Sequence, residues 1–224
     1  MNNKIDISVI ILTYNESLHI KRCINSVKKF VREVIVVDSY STDRTLDICK
    51  KQKVRIYQNK FKNQAIQMNW ALKNINIKSK WIFRIDADEL IDKDSLIHIG
   101  NITKSIKNIS GVIVKRKVKF LNKIINYGLT SPHKTLRIWK KGNGKYPALD
   151  VDEQVKVTGK VFVSDALIID HNLKSFKWWI DKHKNYSNRE AISFFKLKKK
   201  KNLFYLMMLL IKKINIIFII KLQF

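Results

Sequence analysis

Ile7 to Leu12 is apolar except for Ser8 and runs straight into the polar cluster Thr13-Tyr14-Asn15-Glu16. That is the pattern of a short buried strand with an abrupt end, and it is too short and too polar to be a signal peptide. Two further strands follow the same rule. Val34-Ile35-Val36-Val37 ends in Asp38-Ser39-Tyr40-Ser41-Thr42-Asp43, and Trp81-Ile82-Phe83-Arg84-Ile85 ends in Asp86-Ala87-Asp88-Glu89. Between them lie segments of helical period: Ser17 to Phe30, with Leu18, Ile20, Cys23, Ile24 and Val27, then Thr45 to Lys51, then Gln64 to Asn74. Strands alternating with helices predict a parallel α/β sheet, whose ligands sit outside the carboxyl ends of the strands. All three polar clusters fall on that edge.

The second half has a different texture. Short or alternating apolar runs at Gly111 to Phe120, Thr135 to Trp139 and Val155 to Ile169 predict antiparallel additions to the sheet. Ser175 to Phe195 reads as helical, and Leu203 to Phe224 as one or two very apolar helices. A transmembrane reading of this tail would bury Lys212 and Lys213 near its middle, at about 2.5 to 3.5 kcal/mol each. Lys201, Tyr205, Lys212 and Asn215 share one narrow helical stripe, interrupted by Met208, so the pattern favours a helix lying in the interface over a span. Packing of the tail on the domain itself or on a partner is the alternative.

A chain of 224 residues, 46% hydrophobic and 28% charged with only six Gly and two Pro, is one folded domain with room for an appendage and not a disordered or low-complexity chain. The two cysteines, Cys23 and Cys49, form neither a disulfide framework nor a zinc motif, which fits a reducing compartment. The net charge of +27 changes the picture more. Only eight of the 45 basic residues are Arg, in a chain crowded with Ile and Asn, so AT-rich codon usage accounts for part of the excess. It does not account for the asymmetry. Residues 1–99 carry 18 basic and 11 acidic side chains, whereas residues 100–224 carry 27 and 7. No acid follows Glu190, and the run Lys198 to Lys201 leads into the apolar tail, which suits an anionic membrane surface better than DNA.

Gly is absent before Gly100, which removes both the dinucleotide fingerprint and the P-loop from the α/β half. A phosphorylated ligand at that edge would need its charge neutralised by a metal. Asp86-Ala87-Asp88 offers the hard carboxylate oxygens that Mg2+ or Mn2+ prefer, although a DxD alone is more often the pattern of a solvated turn or helix cap.

Taken together, the three strand-end clusters resemble the family 2 glycosyltransferases. Phe61 to Leu72, with Gln67, Asn69 and Trp70, followed by Trp81 to Leu90, is similar to the branch that adds sugars to lipopolysaccharide core and related surface glycans. Leu136-Arg137-Ile138-Trp139-Lys140, the acidic patch Asp150-Val151-Asp152-Glu153, the His171 segment and Lys184-Asn185-Tyr186-Ser187 keep the order of that branch. Two features depart from it: Asp152 stands where a His usually precedes the acidic residue, and the chain stops at Phe224 where relatives usually continue.

The resemblance implies an α/β fold of GT-A type, a Rossmann-like, mainly parallel sheet with antiparallel additions and a C-terminal helical membrane-associating tail. The implied layout is a glycosyltransferase domain over residues 1–196, with a nucleotide-binding half 1–99 and an acceptor half 100–196, then the basic tail 197–224. The implied reaction moves a hexose from a UDP-sugar to a hydroxyl of a lipid-linked saccharide in one inverting step. Thr13, Tyr14, Glu16 and Asp38 would bind the nucleotide, with Thr13 and Tyr14 against the base and Asp38 accepting hydrogen bonds from uracil or ribose. Asp86 and Asp88 would hold the diphosphate through Mg2+ or Mn2+, Asp88 more directly. The attacking hydroxyl must lose its proton to a carboxylate opposite the leaving group, and Glu153 is the first candidate, with Asp152 and Asp150 as alternatives.

Other residues stay open between two readings. Asp43 fits a cap for the helix at Thr45 better than a ligand contact. His171 can support metal or diphosphate, or be structural. Arg137 and Lys134 can bind an anion or line a solvated strand face. Trp178 and Trp179 suit core or an interfacial belt better than sugar stacking. The implied location is cytoplasmic, peripheral on the inner face of the cytoplasmic membrane. Two other classes compete. A family member that binds nucleotide without catalysis is suggested by Asp152, and a nucleic-acid-binding protein is suggested by charge alone, with no HTH, RNP-like or zinc pattern behind it.

Overall fold

Successive side chains of a strand face opposite ways, so an uninterrupted apolar run needs cover on both faces. The computed structural model, which describes residues 4–127, 131–147, 154–182 and 184, supplies it. The first strand, β1 (Ile5–Thr13), sends Ile7, Val9 and Ile11 into one core and Ile10 into another. Helices α1 (Ile20–Val27), α2 (Thr45–Lys51) and α4 (Lys93–Ser105) cover the first face through Cys23, Ile24, Cys49, Leu96 and Ile99. Helix α3 (Gln64–Asn74) covers the second through Ala65, Met68 and Ala71, beside Trp139 and Tyr146. The result is a three-layer α/β/α arrangement.

Beside β1 lie β2 (Val31–Asp38) and β4 (Trp81–Arg84), both parallel to it, and β3 (Arg55–Gln58) extends the parallel set beyond β2. Past β4 the sheet continues with β8 (His133–Lys140), β6 (Ile109–Phe120), β11 (Lys160–Asp170) and β5 (Glu89–Ile91). A short strand, β7 (Lys123–Ile125), forms a hairpin with β6, and β9 (Gly144–Lys145) pairs with β10 (Lys156–Val157) in a separate ribbon. The mixed, mostly parallel sheet is the expected α/β architecture.

Helices α2 and α3 occupy the ranges read from the sequence, and Asn63 caps α3 by accepting from the Ile66 N–H at 2.8 Å. Helix α1 is shorter than Ser17 to Phe30, because residues 16–19 form a turn in which the His19 and Ile20 N–H groups both donate to the Glu16 carbonyl. In the second half, β8 is antiparallel to β4 and β6 as expected, but β11 runs parallel to β6. Three elements had no clear pattern. Edge strand β3 has only four residues with Ile56 and Tyr57 side by side, β5 has three residues, and α4 hides Leu96, Ile99 and Ile102 among polar neighbours, with Asp92 accepting from the Ser95 N–H at 2.7 Å as its cap. Among the described residues no helix is long and apolar enough to cross a membrane, and the tail 197–224 lies outside them.

Candidate active site

The parallel register aligns Thr13 with Asp38 at the carboxyl ends of β1 and β2. Beyond them the two chain segments are stitched together. The Asn15 N–H donates to Ser41 Oγ at 2.9 Å, the Thr42 N–H to Asn15 Oδ1 at 2.9 Å, and the Glu16 N–H to Thr45 Oγ1 at 2.8 Å. Asp43 accepts from the Ser17 and Thr45 N–H groups at 3.0 and 2.9 Å and from the Thr45 hydroxyl. Burial raises its pKa, but these donors outweigh it and hold the carboxyl at about 2. Asp43 thus anchors the start of α2 and joins it to the β1–α1 turn.

Asp38 is fully buried and its carboxylate is saturated. Oδ1 accepts from the Thr13 and Ser41 hydroxyls at 3.0 and 2.5 Å, and Oδ2 from the Ser41 N–H at 2.8 Å and Gln58 Nε2 at 3.4 Å. Thr13 is buried beneath, whereas Tyr14 is exposed, and so is Tyr40, held at φ 60° just past β2. Tyr40 is an aromatic face that sequence reasoning left unassigned; the β1–β2 register alone puts it near Tyr14.

Glu16 faces away from this pair. Its Oε2 accepts from His19 Nδ1 at 2.5 Å and its Oε1 pairs with Lys174 at 2.9 Å. Burial raises its pKa, but the hydrogen bonds from His19 and Lys174 bring it below the usual glutamate value. The other ring nitrogen of His19, Nε2, accepts from the Leu173 N–H at 2.9 Å. Segment 171–174 is therefore strapped across the start of α1.

Asp86 and Asp88, two residues apart after β4, have different surroundings. Asp86 receives Arg84 Nη2 on Oδ1 at 2.7 Å and Arg137 on Oδ2 at 3.2 and 3.3 Å. Burial raises the pKa of Asp86, yet the two guanidinium groups override it and leave it well below the carboxylate range. Arg137 also donates to Glu89 Oε1 at 2.6 Å, and Glu89 Oε2 accepts from the Asp86 N–H at 2.9 Å, so Arg137 braces the turn that carries both aspartates. Asp88 Oδ2 accepts from Asn172 at 2.9 Å, while among the described residues Oδ1 has no hydrogen-bond partner.

The Asp88 carbonyl accepts from the His171 N–H at 2.9 Å. Arg22 donates to His171 Nδ1 at 3.0 Å and to the His171 carbonyl, so the neutral ring carries its proton on Nε2. Burial and then the charges of Arg22, Lys119 and His19 keep this histidine below its ordinary pKa.

The fold therefore brings Thr13, Tyr14, Glu16, Asp38, Asp86, Asp88, Arg137 and His171 to one sheet edge. Arg22, Arg84, Gln58 and Asn172 complete it; Arg22, Gln58 and Asn172 are each held by a tertiary contact that no local pattern announces, and Arg84 by Asp86 two residues on. Glu153, Asp152 and Asp150 lie outside the described residues. Among the described residues no group of three or more His, Cys, Asp or Glu side chains is arranged to hold a metal. Asp88 Oδ1 is nevertheless free to ligate, and Mg2+ bound together with a diphosphate needs only one or two protein carboxylates, so the residues present fit that ion.

Comparison with known proteins bears on the family and the fold. The sequence model of the family described as Glycosyl transferase family 2 matches residues 8–148. The chain is 42% identical over 101 residues to the glycosyltransferase SunS of Bacillus subtilis, a match covering 43% of this chain and 23% of SunS. It is 28% identical over 152 residues to the lipopolysaccharide core biosynthesis glycosyltransferase LpsC of Rhizobium meliloti, covering 64% of this chain and 54% of LpsC. It is 27% identical over 209 residues to the uncharacterized glycosyltransferase RP128 of Rickettsia prowazekii, covering 87% and 70%. Among solved structures, TarS of S. aureus in complex with UDP-GlcNAc superimposes with a TM-score of 0.55 at 20% identity, over 75% of this chain and 59% of that one, which shows a shared fold. The chain thus spans about a quarter of SunS and about three fifths of that TarS chain. With more than half of its length inside the family's sequence model, and that stretch holding all three strand ends of the site, the chain belongs to glycosyl transferase family 2.

Proposed function

We infer that this chain transfers a hexose from a UDP-sugar to a hydroxyl of a lipid-linked saccharide, of the kind found in lipopolysaccharide core or other surface glycans. The observation that carries the reading is the pairing of a free Asp88 oxygen with exposed Tyr14 and Tyr40 on one sheet edge. Two aromatic faces beside a buried acid suit a uridine, and the edge beyond β4 suits its diphosphate. A divalent cation, Mg2+ or Mn2+, held by Asp88 with Asp86 behind it, supplies positive charge against the diphosphate when bound.

The protein's own part is to bind and orient. Arg84 and Arg137 fix Asp86 and the turn, Asn172 fixes one oxygen of Asp88, and His171 presents an Nε2–H donor beside them. The acceptor oxygen attacks the anomeric carbon opposite the departing UDP, its bond forming as the carbon–diphosphate bond breaks, and its proton passes to Glu153 or Asp152. Configuration inverts. On this reading residues 1–99 serve the nucleotide and 100–196 the acceptor, and the basic apolar tail 197–224 keeps the chain on the inner face of the cytoplasmic membrane. The reading draws on the match to LpsC for the acceptor class and on the strand-end pattern for the donor.

Purified protein screened for UDP release across UDP-sugars, with a membrane-lipid extract, tests it. One donor should stand out, and release should stop when the cation is chelated. UDP release that needs neither cation nor acceptor extract, or no release from any UDP-sugar, overturns it.

A further inference from the structure

The β6–β7 hairpin breaks the rule that large apolar side chains are covered. At its tip Leu121 is 61% exposed, and just beyond it Ile124 and Tyr127 are 45% and 78% exposed. Leu121 and Asn122 turn the corner at φ 45° and 64°. Phe120, at the end of β6, packs against the helix that begins at residue 176: its ring lies 6.1 Å from Phe176 and 5.5 Å from Trp179, and those two rings stack 5.9 Å apart. Phe176 is itself 55% exposed. The rings of Phe120, Phe176 and Trp179 thus join the hairpin tip to the helix start across about fifty residues of sequence, while Ile124, opposite Lys119, faces the other side of the hairpin, so the tip exposes apolar side chains on both of its faces.

The charge around this surface is mostly basic, with the exposed Asp181 on the same helix as the exception. No Asp or Glu occurs between Asp94 and Asp150, a stretch with twelve Lys and Arg. Lys117 and Lys119 lie along the hairpin, with Lys119 opposite Ile124, and Lys177 is exposed next to Phe176. The nearest acid on β11, Asp170, is paired with Arg116 at 2.5 Å. Exposed aromatic and aliphatic side chains ringed by lysines are complementary to an anionic lipid surface, whose interface takes the rings and whose headgroups take the ammonium groups. The face also adjoins the candidate site, because the charge of Lys119 is felt at His171 and β6 pairs with β11 up to Asp170.

We propose that the hairpin tip and the helix beginning at 176 form a second membrane-contact surface, which seats the chain on an anionic bilayer with the acceptor side of its site against the headgroups. The acceptor class rests on the function proposed above; the contact surface does not. A lipid-borne saccharide then reaches the edge near Asp88 and His171 without leaving the membrane.

Cys23 and Cys49 are both buried, so the full chain with Leu121→Cys takes a thiol-reactive, polarity-sensitive dye at position 121 alone. Vesicles of phosphatidylcholine with phosphatidylserine should shift that dye to the blue, and pure phosphatidylcholine should do so far less. The full chain with Leu121→Asp and Ile124→Asp should bind the anionic vesicles at least about tenfold more weakly while binding UDP as the unaltered chain does. A dye that is already shielded without vesicles and unmoved by them would mean the face is covered by the chain's own tail or a second copy, and overturns the proposal. Unchanged vesicle binding by the double variant overturns it too. Loss of UDP binding in every form, the unaltered chain included, overturns the donor reading and leaves the vesicle results to decide the surface.

Discussion

At the scale of single residues, the two aspartates after β4 divide one motif into two tasks. Asp86 answers two guanidinium groups, Arg84 and Arg137, each with a buried Nε that has no hydrogen-bond partner among the described residues, and Arg137 is also held by Glu89. Asp86→Asn should therefore act first on the fold, lowering the melting temperature by more than about 5 °C, since removing one partner of a half-buried pair strands the other. Asp88→Asn replaces the free oxygen with an amide NH2 while the remaining oxygen can still accept from Asn172. It should melt within about 2 °C of the unaltered chain yet lose cation-dependent UDP binding and essentially all UDP release. Equal melting losses in the two variants would mean both aspartates are structural. The base is tested in the same currency: Glu153→Gln should cost about a hundredfold in turnover at unchanged UDP affinity, the scale of a lost general base. If Asp152→Asn does this and Glu153→Gln does not, the base is Asp152.

At the scale of elements, the strength of a site lies in how one loop holds the next. The β1–α1 turn and the β2–α2 loop meet at Asp43, whose carboxyl drops from its ordinary 3.8 to about 2 on folding. A depressed acid contributes stability that is complete above its unfolded pKa and is lost as pH falls through the folded value. Melting followed from pH 5 down to pH 2 should thus fall less steeply for Asp43→Asn than for the unaltered chain, because the variant has already lost that contribution; parallel curves would show that Asp43 does not couple folding to protons. Gly144 in β9 makes a comparable point about packing. A methyl group there would overlap the indole of the fully buried Trp139, which stands edge-on to Tyr146, so Gly144→Ala should destabilise by about 1 to 3 kcal/mol in a denaturant titration. What the sequence made legible follows from such differences. The strands β1, β2 and β4 and the helices α2 and α3 were readable because burial writes a local period into them. Asp38, Asp86 and Asp88 were readable because a strand end exposes its polar residues together. Strand β3, the parallel β6–β11 pairing and the roles of Arg22, Tyr40 and Asn172 were not, because each depends on a partner distant in the chain.

At the scale of the whole molecule, charge is divided unevenly along the chain. The acids Asp38, Asp86 and Asp88 gather at the carboxyl edge of the sheet, while the excess of base lies in residues 100–224 and reaches its extreme where no acid follows Glu190. Polybasic attraction is worth about 1 kcal/mol per Lys near an anionic surface, so on the proposed membrane role Lys198 to Lys201 alone would give a hold that salt can loosen. The apolar residues after Leu203 add a contact that salt does not screen, and stable attachment takes two such signals acting together. Truncation after Lys196 should therefore release the chain from anionic vesicles, because the exposed hairpin by itself is a single marginal contact. UDP binding should survive, since every residue assigned to the nucleotide lies upstream. Raising the salt should weaken binding of the full chain only in part, as the Debye length shortens while burial persists. Co-sedimentation with vesicles across a salt series separates the two contributions. A full chain that ignores anionic vesicles, or a C-terminus found across the bilayer by protease protection, would remove the tail from this role.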